Sequence, residues 1–362
     1  MAGGADRLVV RAPNHLGDLV MALPALRAAS RCDVVAPRGL APLLALAGLH
    51  GDVLPFDRGA LGFVDAARRL RARRYARGVL LPPSLSSALL FRAAGVRRLR
   101  GTRTDGRGPL LHEAVPPETL ETLHRAGRYF ALVVGAVSTT PLAPRVRIPP
   151  ALAARWEELA GEFAGRAVGI FPGSNARSRR WPVERFAELA ARLAAEGERV
   201  VVFGGPQERE LTAAIADAVA DRARVLDAGG RTDLPLLAAG LASLRLLVSN
   251  DSGPMHLAAA VGTRVVSLWG AGDPRVTGPL GSDQTLLRHA ELPCVPCVKN
   301  VCPRSGPGYI LPEADTECMH LIAVDEVAAA ARPAGPTSPA LPADPSTPSP
   351  TSSPHARPDH DR

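Results

Sequence analysis

The chain has 362 residues, of which 46% are hydrophobic and 4% are aromatic, and its formal net charge at pH 7 is +8. This length allows two domains with full cores, and no stretch reaches the roughly 18 consecutive apolar residues of a membrane span. The charge favours anionic partners such as phosphorylated small molecules, nucleic acid or an anionic membrane surface; compositional bias towards arginine is the alternative. Without a signal-peptide pattern at the N-terminus, we expect a cytoplasmic protein, either free or peripheral on the inner membrane.

Strand-like and helical segments alternate through the first half of the chain. Strands are predicted at residues 7–13, 32–37 and 78–84, and helices at residues 18–30 and 63–76. Strands that alternate with helices predict a parallel sheet covered on both faces. Ligands of such sheets bind beyond the carboxyl ends of the strands.

A second series of the same kind follows a stretch rich in proline and valine. Its predicted elements are strands at 167–174, 198–205, 223–229, 244–251 and 263–270, and a helix at 182–197. We therefore predict an α/β protein with two Rossmann-like domains, residues 1–150 and 151–332, that face each other across a cleft. Residues 333–362 are rich in proline, serine and threonine and are expected to be disordered.

The first motif with chemical content is "RAPNHLGDLVMALPALRA", residues 11–28. A strand ends, a glycine turn follows, and Asp18 is predicted to open a helix. The carboxylate either complements the helix dipole or faces the cleft as a general base. Gly17 would allow a substrate to approach the backbone closely.

The second motif, "FPGSNARSRRWP" at residues 171–182, has the same position in the second series. Ser174 and Asn175 can donate hydrogen bonds to phosphate oxygens, and Arg179 and Arg180 can neutralise a pyrophosphate. Pro182 is expected in the first turn of the next helix. A solvated basic loop is the alternative, and we favour the phosphate site.

Two further strand ends carry candidate binding residues. Glu208 follows "VFGG" and either accepts hydrogen bonds from a ribose or complements a helix dipole. In "NDSGPMH", residues 250–256, Asp251 is expected to be the N-cap, and Ser252 and Gly253 offer an anion cradle with the free N–H groups of the helix start. His256 can direct a ring N–H at the same anion.

Two other features leave alternatives open. Cys294, Cys297, Cys302 and Cys318 have the spacing C-x2-C-x4-C-x15-C, which is compatible with zinc or with free thiols. The arginine-rich region 68–108 either meets an acidic acceptor or lipid head groups or is a set of solvated surfaces. It has no interleaved aromatic pattern, which argues against stacking on single-stranded nucleic acid.

Taken together, the motifs resemble the ADP-heptose:lipopolysaccharide heptosyltransferases, glycosyltransferase family 9, over residues 8–331. The resemblance is carried by "PNHLGDLVMALPAL", "PGSNARSRRWPVERFAELA" and "NDSGPMHLAAAVGTRVVSLWGAGDP", followed by "TGP". "APNHLGDLVM" and the late cysteines are most similar to the heptosyltransferase II branch. Arg179 stands where the family often has lysine, and Pro83 stands where that branch has asparagine.

The resemblance implies a GT-B fold and an inverting transfer of L-glycero-D-manno-heptose from ADP-heptose to heptosyl-Kdo2-lipid A, without a metal or other cofactor. It implies that Asp18 is the catalytic base. The donor site is assigned to Ser174, Asn175, Arg179, Arg180, Glu208, Asp251, Ser252, Gly253 and His256. Acceptor contacts are assigned to Asn14, His15, Gly17 and Arg103.

The expected partners are ADP-heptose and the lipid-linked acceptor at the inner-membrane surface, with no nucleic acid, and the chain is expected to be a monomer. Three alternatives stay open from the sequence. One is the same chemistry on another acceptor, as in heptosyltransferases I or III, or with another nucleotide sugar. The others are a zinc-dependent or nucleic-acid-binding interaction protein and a catalytically inactive scaffold.

Overall fold

The computed structural model describes residues 7–29, 31–138, 142–281, 283–304 and 316–332. The tail predicted to be disordered, residues 333–362, lies outside them. Within the described part, twelve strands form two six-stranded sheets in which every pairing is parallel. This confirms the predicted α/β class with two Rossmann-like sheets. The division at residues 150 and 151 stays a prediction; a helix begins there, at Pro150.

The first sheet contains β1 (Leu8–Arg11), β2 (Cys32–Pro37), β3 (Val53–Phe56), β4 (Arg77–Leu80), β5 (Arg98–Thr102) and β6 (Glu113–Val115). The second contains β7 (Val168–Phe171), β8 (Val200–Val202), β9 (Val225–Asp227), β10 (Leu246–Asn250), β11 (Arg264–Trp269) and β12 (Gln284–Arg288). Their spatial orders are β3-β2-β1-β4-β5-β6 and β12-β11-β10-β7-β8-β9. The two orders are equivalent, and each reverses direction beside its first strand, where such sheets bind ligands.

Helices connect the strands and cover the sheets. They are α1 (Leu16–Ala28), α2 (Ala41–Ala45), α3 (Ala60–Arg73), α4 (Leu85–Ala93), α5 (Arg125–Val134), α6 (Pro150–Ala160), α7 (Val183–Ala195), α8 (Arg209–Asp217), α9 (Leu234–Ala242), α10 (Gly253–Val261), α11 (Pro274–Thr277), α12 (Glu317–His320) and α13 (Val324–Ala331). None of the helices in the described ranges combines the length and apolar character that a bilayer crossing requires.

The predicted strands lie where apolar side chains are fully enclosed. All five residues of β10 are buried, for example, and so are all four of β7. The sequence analysis did not single out β3, β5, β6 or β12. Strands β3, β6 and β12 are edge strands that keep their side chains partly exposed, and β5 is an inner strand in which only Leu99 and Gly101 are buried. An edge strand needs fewer apolar residues, so its hydrophobic signal in the sequence is weaker.

Three predicted helix starts are wrong by one or more residues. Helix α1 begins at Leu16, so Asp18 is the third residue of its first turn and does not open it. The N-cap of α10 is Ser252 and not Asp251, whose side chain turns to a cation of the neighbouring loop. Pro182 is the N-cap of α7 and precedes its first turn.

One hydrophobic cluster joins the two halves of the chain. It includes Leu19 and Leu23 of α1, Leu257 of α10 and Trp156 of α6, all of them buried. Helix α1 packs on both α10 and α5. The two helices that follow β1 and β10 are therefore held against each other, and their N-terminal ends meet at the carboxyl edges of the two sheets.

Candidate functional site

A cleft of about 490 Å³ lies where these helix ends meet. Its walls come from the segments that follow β1, β7, β8 and β10, as the topology predicts. Of the predicted residues, the cleft is lined by His15, Gly17, Asp18, Ser174, Asn175, Arg179, Glu208, Asp251, Ser252, Gly253 and His256. Residues from four sequence segments, which together span more than 200 positions of the chain, thus share one site.

Asp18 is held by two side chains of α5. Its Oδ1 atom accepts a hydrogen bond of 2.9 Å from the Tyr129 hydroxyl and lies 3.4 Å from Nη1 of Arg125. The Asp18 side chain is 24% exposed, so the carboxylate still reaches the cleft. Sequence reasoning missed both partners; the only signal was an arginine and a tyrosine four residues apart on an amphipathic helix.

The N-termini of α1 and α10 touch through two glycines. A Cβ atom added to Gly253 would lie 2.8 Å from Cβ of Leu16 and 3.2 Å from the backbone nitrogen of Gly17. One added to Gly17 would lie 2.8 Å from Cδ2 of His256. Side chains at either position would push the helices apart, so the glycines permit this close approach.

Both helix starts keep their first N–H groups available. The N-caps His15 of α1 and Ser252 of α10 make no side-chain capping bond in the described structure. Uncapped N–H groups together with the helix dipole form a binding site for an anion. The cleft therefore has partial positive charge from α10 beside the carboxylate on α1.

His256 is enclosed beneath the α10 N-terminus. Burial, and then the charges of His124 and Arg179, lower its pKa to about 3. The ring is therefore neutral at physiological pH and acts as a hydrogen-bond donor or acceptor, without a formal charge. His124, the N-cap of α5, donates from Nε2 to the Gly278 carbonyl at 3.0 Å and accepts the Ala126 backbone N–H at Nδ1.

Arg179 and Asp251 form an ion pair on the second wall. Nη1 of Arg179 lies 3.0 Å from Oδ2 of Asp251, which is 4% exposed. That oxygen has no hydrogen-bond partner among the described residues, because the N–H groups do not point at it. Burial raises the pKa of Asp251 to about 6; Arg179 opposes this rise, and the charge of Asp18 adds to it. The desolvation of the carboxylate outweighs the ion pair.

The loop after β7 is braced against β10. The Ser174 hydroxyl donates to the Asp251 carbonyl at 3.0 Å. Asn250 is fully buried, donates to the Pro172 carbonyl at 2.7 Å and accepts from the Trp181 backbone N–H at 3.1 Å. These bonds hold the polar loop at a constant position relative to the α10 N-terminus.

Glu208 caps a helical turn, which is one of the two roles considered for it. Its Oε2 atom accepts the backbone N–H of Gly205 at 2.7 Å and so caps its own short helical turn. Its other oxygen faces Gly173, where an added Cβ would lie only 1.7 Å from Oε1. The carboxylate is thereby fixed at the edge of the cleft, and its contact with a ribose stays a prediction.

Three predicted residues are not brought to the cleft wall. Arg180 is exposed, and its Nε donates to the Ser174 carbonyl at 2.8 Å, so it supports the loop from outside. Arg103 is exposed and lies 3.7 Å from a carboxylate oxygen of Glu118. Asn14 accepts from Arg11 and lines a neighbouring cavity of about 610 Å³.

That neighbouring cavity lies at the carboxyl edge of the first sheet and contains a buried cation. Arg11 is almost fully buried there, and its guanidinium stacks on Phe56 at 4.2 Å from the ring centre. Burial, and secondarily the charge of Arg58, lower the pKa of Arg11 to about 9. Ser84 and Ser86 add hydroxyl groups, and the N-terminus of α3 opens onto the same cavity. Asp57 also lines it, and the first N–H group of α4 donates to Asp105 at 2.8 Å.

The cysteine-rich loop contributes Asn300, and none of its cysteines, to the cleft. Cys294, Cys297, Cys302 and Cys318 line one small cavity, and none of them forms a disulfide. Among the residues that the structure describes, no three His, Cys, Asp or Glu side chains are grouped to hold a metal. The loop also carries Asn300, which lines the cleft. Its carbonyl accepts a hydrogen bond from the Ser178 backbone N–H at 3.1 Å. Sequence reasoning missed Asn300.

Comparisons with known proteins identify the family of the chain. The family model for glycosyltransferase family 9 (heptosyltransferase) matches residues 64–306. Lipopolysaccharide heptosyltransferase 2 of Escherichia coli is 30% identical over 305 residues, which cover 78% of this chain and 88% of that protein. Lipooligosaccharide heptosyltransferase 2 of Haemophilus influenzae is 28% identical over 308 residues, 78% of this chain and 89% of that protein.

A solved structure, that of ADP-heptose lps heptosyltransferase II from E. coli, superposes with a TM-score of 0.75. It has 26% sequence identity, and the match covers 89% of this chain and 96% of that chain. The glycosyl transferase family 9 protein of Veillonella parvula superposes equally well at 23% identity, covering 91% of this chain and 97% of that one. The second match supports the fold alone.

Proposed function

The chain belongs to glycosyltransferase family 9, and we propose that it moves L-glycero-D-manno-heptose from ADP-heptose to the heptosyl-Kdo2-lipid A inner core of lipopolysaccharide. One observation carries this proposal. The carboxylate of Asp18 stands in the same cleft as the uncapped α10 N-terminus and the Arg179 guanidinium. A base and an anion-stabilising site on opposite walls are what an inverting transfer of a sugar from a nucleotide diphosphate needs.

The donor is proposed to bind mainly to the second sheet. Its pyrophosphate fits the N–H groups of Ser252 and Gly253 and the guanidinium of Arg179. Ser174 and Asn175 line the same wall, and Glu208 is placed to accept hydrogen bonds from the ribose hydroxyls. The wall also contains Asp251, whose pairing with Arg179 moderates the positive charge that the diphosphate meets.

The reaction is proposed to be a single displacement with inversion. Asp18 removes the proton from an acceptor hydroxyl as its oxygen attacks the anomeric carbon, and the bond from that carbon to the ADP oxygen breaks. The departing ADP takes the bonding electron pair, and its added negative charge is stabilised by the α10 N-terminus and Arg179. His256, neutral beneath this helix end, contributes a ring hydrogen bond and no charge.

The acceptor is proposed to enter from the first sheet. His15 lines the donor cleft, and the adjacent Asn14 lines the cavity that holds Arg11 and Arg58. This second cavity can hold an acidic group of the inner core while the accepting hydroxyl reaches Asp18. Burial of the Arg11 guanidinium strengthens such a pairing, because water competes for it less.

Three further properties belong to this proposal. The site residues supply cationic and dipolar groups for the diphosphate, so we expect turnover to need no metal or other cofactor. We expect the chain to act as a monomer without binding nucleic acid. We also expect it to work in the cytoplasm at the surface of the inner membrane, where a lipid-linked acceptor is presented.

The first test is ADP release by the purified protein from ADP-heptose, with and without heptosyl-Kdo2-lipid A. The proposal predicts acceptor-dependent ADP release and a product heavier by one heptose, with an equal rate in EDTA. Activity with Kdo2-lipid A instead would assign the chain to another acceptor. If the protein did not bind ADP-heptose, the donor assignment would be overturned.

A second test separates chemistry from binding. Asp18→Asn keeps the size of the side chain but removes the base, so turnover is expected to fall by about 10²–10⁴-fold. ADP binding, measured by calorimetry, is expected to change little because the diphosphate contacts lie on the other wall. A variant with near-normal turnover would remove Asp18 from the role of base.

A further inference from the structure

Two neighbouring helices of the first sheet expose large apolar side chains to solvent. On α3, Leu61 is 89% exposed and Val64 is 44% exposed; on α4, Leu85 is 38% exposed and Leu89 is 45% exposed. Helices α3 and α4 pack against each other. Four large apolar side chains on adjacent helix ends form a patch, which we call the α3–α4 patch, and such patches mark interaction surfaces.

The α3–α4 patch continues into a cationic surface. Leu61, Val64, Arg68 and Arg71 are spaced by three or four residues and therefore share one face of α3. Arg71 in turn lines a broad hollow that contains further arginines at the amino-terminal edge of the sheet, namely Arg74, Arg77, Arg97 and Arg98. The surface thus changes from apolar to strongly basic along a single helix.

Nearby carboxylates do not cancel this charge. Asp57 pairs with Arg38 at 2.7 Å, and Asp65 pairs with Arg69 at 2.6 Å, so each is matched by an arginine of its own. Arg68 and Arg71 are exposed on the face that carries Leu61. Apolar side chains next to arginines complement a bilayer surface, where acyl chains lie beneath anionic head groups.

The α3–α4 patch lies close to the cavity that adjoins the donor cleft. Val64 of α3 lines the same cavity as Asn14 and Arg11. Ala60 and Leu90 also line it, and they are the sequence neighbours of Leu61 and Leu89. Asn14 is followed directly by His15, which lines the donor cleft. A lipid whose acyl chains lie in the bilayer at the patch can therefore extend its sugar through this cavity towards Asp18.

We propose that the α3–α4 patch and the adjoining arginines dock the enzyme on the anionic bilayer that carries its acceptor. The inference rests on the proposed function, in which the acceptor is lipid-linked. A bilayer is favoured over a protein partner for two reasons. An anionic bilayer carries charge of a single sign, opposite to that of the arginine surface, and the exposed apolar groups lie next to residues that line the acceptor cavity.

Vesicle sedimentation tests this surface directly. The full-length protein is mixed with vesicles of phosphatidylcholine alone or with added phosphatidylglycerol, and Leu61→Ser/Leu89→Ser is compared with wild type. The double variant is expected to bind the anionic vesicles at least about fivefold more weakly. Leu286→Ser/Leu321→Ser is the control, because these two leucines are also exposed, at 41% and 42%, but lie elsewhere.

An arginine variant and turnover assays complete the test. Arg68→Gln/Arg71→Gln is expected to weaken binding to the anionic vesicles and to reduce its dependence on salt. With an acceptor stripped of its acyl chains, the leucine double variant should turn over like wild type; with the acceptor in vesicles, its rate should fall. Unchanged binding by the leucine double variant, or equal losses on both acceptors, would overturn the docking surface. A wild type inactive on both acceptors would instead refute the proposed function.

Discussion

Tyr129→Phe isolates the hydrogen bond that holds the proposed base. The Tyr129 hydroxyl donates to Oδ1 of Asp18 at 2.9 Å, and the ring is only 6% exposed. Phenylalanine fills the same space and removes only the hydroxyl. Asp18 then keeps Arg125, at the longer distance of 3.4 Å, as its partner on α5. We expect the carboxylate to leave its catalytic orientation for part of the time.

The size of the effect follows from the strength of this bond. A hydrogen bond to a charged acceptor contributes about 1.5–3 kcal/mol, and about 1.4 kcal/mol corresponds to a tenfold change in rate. If the whole contribution is lost from the transition state, kcat falls by about ten- to a hundredfold. KM for ADP-heptose is expected to change little, because Tyr129 does not line the donor wall.

The chain offers a matched control at the opposite edge of the same sheet. The Tyr75 hydroxyl also donates to a carboxylate, that of Asp33, and its ring is 4% exposed. Tyr75→Phe should lower the thermal midpoint without lowering kcat in the folded protein. Equal kcat losses in the two variants, or an unchanged kcat in Tyr129→Phe, would refute the positioning role. In Asp18→Asn, adding Tyr129→Phe should cause no further loss.

Other predictions concern the second wall and the contact between the helices. The raised pKa of Asp251, about 6 against an ordinary 3.8, means that its ionised form costs the folded state about 3 kcal/mol; this cost is absent well below pH 4 and complete above pH 6. Thermal midpoints measured from pH 4 to pH 8 should therefore fall more with rising pH in wild type than in Asp251→Asn, and parallel curves would contradict this. Gly253→Ala should cost about 1–3 kcal/mol by overpacking and lower turnover, whereas Gly39→Ala, whose Cβ would meet nothing within 4 Å, should be neutral; equal stabilities would argue against the close helix contact. In NMR titrations from pH 8 to pH 5 the His256 ring should not titrate, because burial keeps its pKa near 3, whereas His289, whose pKa is raised by Glu291 and Glu326 against the effect of burial, should.

The sequence alone determined the class of fold and the edge where the site lies. Strand β7 and the first three residues of β10 are buried and apolar, so they stand out between amphipathic helices. Parallel topology then places every segment that follows a strand at one edge of its sheet. Asp18, Arg179 and Ser252 each belong to such a segment, and their convergence follows from their local sequence positions and the predicted cleft between the two sheets.

Only the tertiary structure decided which side chains tune that site. Tyr129 lies 111 positions from Asp18 along the chain, and Asn300 reaches the cleft from a loop that no strand-end pattern indicates. Arg103 and Arg180 looked equally suitable in the sequence but face solvent. The neutrality of His256 and the raised pKa of Asp251 arise from desolvation, which depends on what packs around a group in three dimensions. Local sequence carries the periodicity that selects secondary structure, whereas burial and long-range contacts exist only after the chain has folded.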